Sequence, residues 1–246
     1  MSIAVFSAYF DASGTKKEQR VLTVAGFVGR VPKWDRFNLE WSAILSEENV
    51  TAMHMTDFAS SRGEFVSWKG QAERRRKFIS LLCECIKRHT NKGFASSVIL
   101  SDYREVNAKF MLSEGVGKPY TLCARACLGA LAQWAKKKKV KNEDMLVSVE
   151  HGDQDQGELI KMARSDGFKV IPISKADVQA FQAGDLVAWK TRIVVQNATY
   201  GPLGSEDDAE QILRSLNPIK SIVQRNAGFD KEALLKMCTA SGIPRR

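Results

Sequence analysis

Residues 3–11 read Ile-Ala-Val-Phe-Ser-Ala-Tyr-Phe-Asp. Everything before the last position is apolar or small, which predicts a buried strand with Asp11 at its C-terminal end. Ala12-Ser13-Gly14-Thr15-Lys16-Lys17 follows as a turn-rich linker. Residues 20–29, RVLTVAGFVG, are β-branched and apolar and predict a second strand hairpinned to the first. Downstream, 93–101 (GFASSVILS), 145–150 (MLVSVE) and 168–173 (FKVIPI) predict three more strands, the second of them ending in Glu150.

Helical patterns fill the intervals. Pro32 opens a helix over 33–46 with Trp34, Phe37 and Trp41 on one face, a core face and not a base-stacking platform. Residues 50–58 (VTAMHMTDF) predict a short irregular piece, followed by a loop at Ser60-Ser61-Arg62-Gly63 and an amphipathic helix over 71–89. Residues 102–118 are ambiguous and end in a loop at Gly115 and Gly117. Helices follow at 119–138, rich in small residues for close packing on a sheet, at 155–165, and at 177–196, which carries Asp185. Residues 199–209 read as a loop, and one or two short helices separated by Pro218 and Gly228 close the chain. Hairpinned strands followed by alternating strand and helix predict an α/β fold, a mixed sheet flanked by helices. The chain is expected to be one domain over 1–246: a core of about 3–196, a helical insertion at about 30–92, and a C-terminal helical extension at about 205–246.

Lys and Arg number 37 against 28 Asp and Glu, a net charge of +9, which favours a polyanionic partner such as nucleic acid. The charge gathers at Arg74–Lys77, at Lys136–Lys139 with Lys141, and in the terminal Pro-Arg-Arg; each block is equally readable as a solvated helix end. No apolar run approaches the ~18 residues that a membrane-spanning helix needs. The N-terminus has neither a basic leader nor an obvious cleavage site, so no membrane partner is expected and the expected compartment is the cytoplasm. Five cysteines, an odd number, argue against a disulfide framework. Cys123 and Cys127 share a helix face at metal-ligand spacing, but no matching Cys/His pair accompanies them, and small buried hydrophobes are the preferred reading.

Three acidic residues stand where acid is unexpected: Asp11 and Glu150 end apolar strands, and Asp185 lies inside an apolar helix. Buried carboxylates are costly unless paired, hydrogen-bonded or metal-bound, and a hard divalent cation gathers several at once. Singly, each is more simply a cap or a salt-bridged acid; their joint placement makes the case. His54 and Asp57 are candidates for the rim of the same site, His54 as a general acid or base or as a structural histidine. Asp153 and Asp155 follow Glu150 in a loop and read either as an added ligand or as caps of the next helix, the cap being the preferred reading. The absence of G-x-x-x-x-G-K-[ST], G-x-S-x-G and H-E-x-x-H motifs argues against a P-loop NTPase, a serine hydrolase of that type and a zincin.

The run Tyr9-Phe10-Asp11-Ala12-Ser13-Gly14 resembles the opening D-E-S-G motif of a large bacterial domain-of-unknown-function family with an RNase H-like fold. Gln182-Ala183-Gly184-Asp185-Leu186-Val187-Ala188 resembles its closing Q-x-A-D motif, and residues 53–58 are similar to its His-containing segment. The resemblance covers about residues 5–195. It implies an RNase H-like sheet, kinship with RNase H, Holliday-junction resolvases and transposases, and an acidic centre on Asp11, Glu150 and Asp185. Ala12 departs from the family's usual Glu and removes a possible extra ligand. Gly184 departs from its usual Ala, with little consequence expected beyond helix stability. The expected function is a nuclease with two Mg²⁺ or Mn²⁺ ions on the three carboxylates, one activating water and the other stabilising the leaving oxygen, while the basic blocks hold the phosphate backbone of DNA or RNA. The rival expectation is a non-catalytic nucleic-acid- or protein-binding module on the same fold.

Overall fold

A computed structural model describes residues 5–15, 18–150, 156–174, 178–202 and 212–246. Its centre is the pair expected from the opening residues: β1 (Phe6–Ser13) runs antiparallel to β2 (Val21–Arg30), and β2 antiparallel to β3 (Lys92–Ile99). On the other side β1 pairs in parallel with β4 (Met145–Glu150), and β4 with β5 (Lys169–Ile173). The sheet order is β5-β4-β1-β2-β3-β6. The first five strands, with β2 alone inverted between its neighbours' directions across β1 and β3, make the mixed sheet of an RNase H-like fold. The hairpin closes through Gly14, whose φ of +88° and whose close approach to the Val21 carbonyl leave no room for a side chain.

The main helices are α1 (Val31–Glu47), α2 (Met55–Ala59), α3 (Ala72–His89), α4 (Leu100–Lys109), α5 (Leu112–Val116), α6 (Pro119–Lys137), α7 (Gln156–Ser165), α8 (Ala180–Tyr200) and α9 (Lys231–Ala240). They cover both sheet faces, because strand residues alternate between two cores. Phe6, Ala8, Phe10, Val24 and Val147 pack with α6, from which Cys123, Cys127 and Leu131 point inward. Ala25, Phe27 and Ala95 pack on the opposite face with α8 and the insertion, where Trp34, Phe37, Trp41, Phe78 and Leu82 are buried as the aromatic spacing predicted. The insertion therefore lies on the α8 face. Among the described residues no helix is long and apolar enough to cross a membrane.

Two stretches differ from their sequence patterns. Residues 50–63 hold α2 and lead into a 3₁₀ turn at Gly63–Trp68, and residues 100–116 form α4 and α5. The C-terminal segment carries α9 as expected and also a strand, β6 (Val223–Phe229), parallel to β3 at the sheet edge. Its sequence, VQRNAGF, is poor in strand formers, so the available edge of β3 decides its state over local propensity. The register shift between Ala95 and Ser96 accommodates it.

Candidate active site

The α8 face of the sheet changes character along β1. At its start Tyr9 meets Trp34 and Phe181 edge-to-face, with ring centroids 5.0 and 5.6 Å apart. Two residues on, the same face presents Asp11, 1% exposed, whose Oδ1 accepts the Ala12 N–H at 2.9 Å. Beyond it the face is polar: Ser13 accepts from Arg192 Nε at 3.0 Å, and the buried Thr23 and Ser97 hydroxyls bond at 2.7 Å. The small residue Ala25 faces Asp11 across the hairpin, and α8 crosses directly above.

Gly184 makes that crossing close. A Cβ there would lie 3.1 Å from Asp11 Cβ and 3.3 Å from the Ala25 carbonyl oxygen. The glycine therefore sets the approach of helix to strand, a larger role than helix stability alone, and it puts Asp185 beside the strand end that carries Asp11. The register Phe10↔Val149 makes Glu150 the next position on the neighbouring parallel strand, and strand alternation turns it to the same face as Asp11 and Ser148. Glu150 is half-buried, and Ser148 is fully buried with its Oγ lacking a hydrogen-bond partner among the described residues.

Asp185 is 8% exposed, and its Oδ2 accepts the Met55 N–H at 2.9 Å. One turn earlier, Gln182 Oε1 accepts both Trp41 Nε1 at 2.9 Å and the Met53 N–H at 2.8 Å. The two side chains of the closing motif thus hold the 53–55 segment against α8. That hold sets the exposed His54 ring with Nδ1 3.9 Å from Asp185 Oδ2. From the other side Glu64 accepts from Thr51 N at 2.6 Å and Thr51 Oγ at 2.7 Å. Burial raises the Glu64 pKa, but these bonds outweigh it and hold the carboxyl below its usual range. His54, Asp57, Asp185, Ser13 and Arg192 line one polar cavity of about 330 Å³. Arg192 also donates to Gln19 Oε1 at 2.9 Å and Gln196 Oε1 at 3.4 Å.

The structure therefore brings Asp11, Glu150 and Asp185 to one end of one face, with His54 and Asp57 at the rim, while Asp153 and Asp155 lie outside the described residues. The carboxylates do not converge on a single point. Among the described residues, the three-residue group with all ligand atoms within 4.8 Å of one another is Glu40, Cys85 and His89 on α1 and α3. The sequence signal for it is the i, i+4 spacing of Cys85 and His89; Glu40 carries no signal, because only the α1–α3 packing brings it there. All five cysteines are buried free thiols.

The basic blocks lie elsewhere. Lys138 borders a pocket with Phe6 and Trp134 at the start of β1, the opposite end from Asp11. Arg75 is buried and donates to the Phe58 carbonyl at 2.7 Å, capping α2, and Arg74 pairs with Glu48 at 2.7 Å over the Trp68 ring. Arg246 bonds the Asn107 carbonyl at 2.9 Å and pairs with Glu114 at 2.9 Å. Several of the basic side chains thus fasten the fold.

No family model matches the chain, and no curated protein matches it. Among solved structures it is similar to a chain of the PCNA:RNase HII complex from Archaeoglobus fulgidus. The identity is 17% and the TM-score 0.42, over 87% of this chain and 89% of that one. So distant a likeness says nothing of activity.

Proposed function

We propose that this chain is a divalent-metal-dependent nuclease that hydrolyses phosphodiester bonds of DNA or RNA, with Mg²⁺ or Mn²⁺ held by Asp11, Glu150 and Asp185. The observation that carries the reading is the placement of Asp11 and Glu150 at the ends of adjacent parallel strands, on the face where Gly184 lets α8 bring Asp185 down. The donor set suits a hard cation: three carboxylates, with the Ser148 hydroxyl, which has no hydrogen-bond partner among the described residues, two positions before Glu150 on the same strand. Bound there, such ions supply water activation and charge stabilisation at the leaving oxygen.

The chain's own groups supply the rest. The Met55 N–H fixes the Asp185 carboxylate, so little of its orientation must be set when a substrate binds. Arg192, held by Ser13 and Gln19, offers a fixed positive charge in the cavity wall for a phosphodiester oxygen. His54, on the rim, is placed to hold or give up a proton at Nδ1. Membership of the family that the D-x-S-G and Q-x-x-D runs resemble belongs to the same proposal, as does a cytoplasmic location, with which five buried free thiols agree. The test is cleavage of labelled single- and double-stranded DNA, RNA and hybrid substrates with Mg²⁺ or Mn²⁺. The expected result is metal-dependent cleavage lost in Asp11→Asn; no cleavage of any substrate by the wild type overturns the reading.

One observation favours a second reading. Gln182 and Asp185 both have structural work in holding residues 53–55, and Ala12 stands where the resembling family has Glu. A binding module that keeps the fold without catalysis would retain both hydrogen bonds. It would bind nucleic acid equally well with and without chelator, and cleave none.

A further inference from the structure

We propose that Glu40, Cys85 and His89 form a second cation site, for one divalent ion of the zinc class, which fastens α1 to α3 at the end of the sheet away from Asp11. Cys85 and His89 stand one helical turn apart on α3 and share a face, and Glu40 meets them from α1. The three ligand atoms lie within 4.8 Å of one another. Tetrahedral zinc with bonds of about 2.0–2.3 Å needs ligand atoms roughly 3.4–3.8 Å apart, so rotations of about an ångström complete the geometry.

The surroundings are those of a metal site. His89 Nε2 and Glu40 Oε2 meet in a 2.7 Å hydrogen bond, so both atoms already lie on the same spot between the helices, and a cation would take the place of the shared proton as the two part by about an ångström. Arg88 NH1 donates to the other oxygen, Oε1, at 2.6 Å and orients the carboxylate from outside, as an outer-shell partner does. Cys85 is fully buried, and its Sγ makes a long contact of 3.9 Å to the Phe37 carbonyl, an interaction that costs little to give up. Glu40 and Arg88 are partly open to solvent, which gives an ion an entry path. Thiolate, imidazole and carboxylate together suit zinc and not Mg²⁺ or Ca²⁺.

The location separates this site from the carboxylate site. Three residues after His89, Lys92 pairs with Val28, close to where Arg30 pairs with Phe6 at the start of β1. Asp11 lies at that strand's other end. On binding, the thiol proton and the Nε2 proton that faces Glu40 both leave to water, the imidazole carries its one remaining proton on Nδ1, and the sulfur and Nε2 bond the cation. Solvent fills the fourth position, because Arg88 keeps the second Glu40 oxygen.

Co²⁺ titration of the full chain reads the site directly, because thiolate bound to cobalt gives a near-ultraviolet charge-transfer band that carboxylates do not. The expected result is a band saturating at one equivalent, bleached by Zn²⁺, lost in Cys85→Ser, and retained in Cys83→Ser and in Asp11→Asn. No band in the wild type, or a band that survives Cys85→Ser, overturns the proposal. Should Cys85→Ser fold poorly, His89→Gln supplies the second arm. The wild type gains thermal stability with Zn²⁺ and the variant must not; an equal gain in both also overturns it. Retention of the band in Asp11→Asn keeps this outcome independent of the nuclease reading.

Discussion

At the scale of single residues, the closing motif does two jobs that substitutions can separate. Gln182 accepts two buried donors, the Trp41 indole N–H and the Met53 N–H. Gln182→Leu strands both, and each unsatisfied buried donor costs about 1–3 kcal/mol, so a clear drop in Tm is expected. Asp185→Asn retains an oxygen for the Met55 N–H, so its melting temperature should stay near that of the wild type while metal-dependent cleavage disappears. Asp185→Ala loses the acceptor and should destabilise by about 1–3 kcal/mol as well. If Asp185→Asn melts as low as Asp185→Ala and Mn²⁺ never stabilises the wild type, the carboxylate is a structural residue and not a metal ligand.

At the scale of elements, the close crossing of α8 over β1 sets two opposing effects at Gly184. Alanine gains about 1 kcal/mol of helix propensity, but its Cβ would crowd Asp11. Gly184→Ala is therefore expected to leave stability within about 1 kcal/mol of the wild type while weakening Mn²⁺-induced stabilisation; the full propensity gain with an unchanged metal response would show that the crossing has slack. The 51–64 segment gives a pH prediction. Glu64 is held below its usual range, so its stabilising contribution is present above the unfolded value of about 4.3 and is lost as pH falls through the lower folded value. Melting curves between pH 7 and pH 3 should show a shallower acid loss in Glu64→Gln than in the wild type. Most elements were legible from periodicity: β1, β2, β4, α3 and α6 carry strong apolar patterns, and Asp11 and Glu150 announce themselves by ending apolar strands. The rest depended on tertiary partners. β6 is polar and forms because β3 has an open edge, α2 is five residues held by Gln182, Asp185 and Arg75, and Glu40 meets Cys85 only through helix packing. Gly184 looked like a weak helix residue because sequence does not show what lies opposite it.

At the scale of the whole molecule, charge and chemistry lie at different ends. The lysine block at 136–139 sits near Phe6, and five strand residues at ~3.3 Å each put it roughly 17 Å from Asp11, beyond a Debye length of about 10 Å. Replacing all four lysines with Ser is thus expected to leave the salt dependence of cleavage nearly unchanged. A marked flattening would mean that the nucleic acid runs the length of the sheet. The central claim is that the carboxylate end of the α8 face holds divalent cations, and anomalous diffraction from crystals soaked in Mn²⁺ tests it most directly. Two peaks within about 4 Å of each other, ligated by Asp11, Glu150 and Asp185, are the predicted result. A fully soaked crystal with no anomalous peak among these three carboxylates would contradict it.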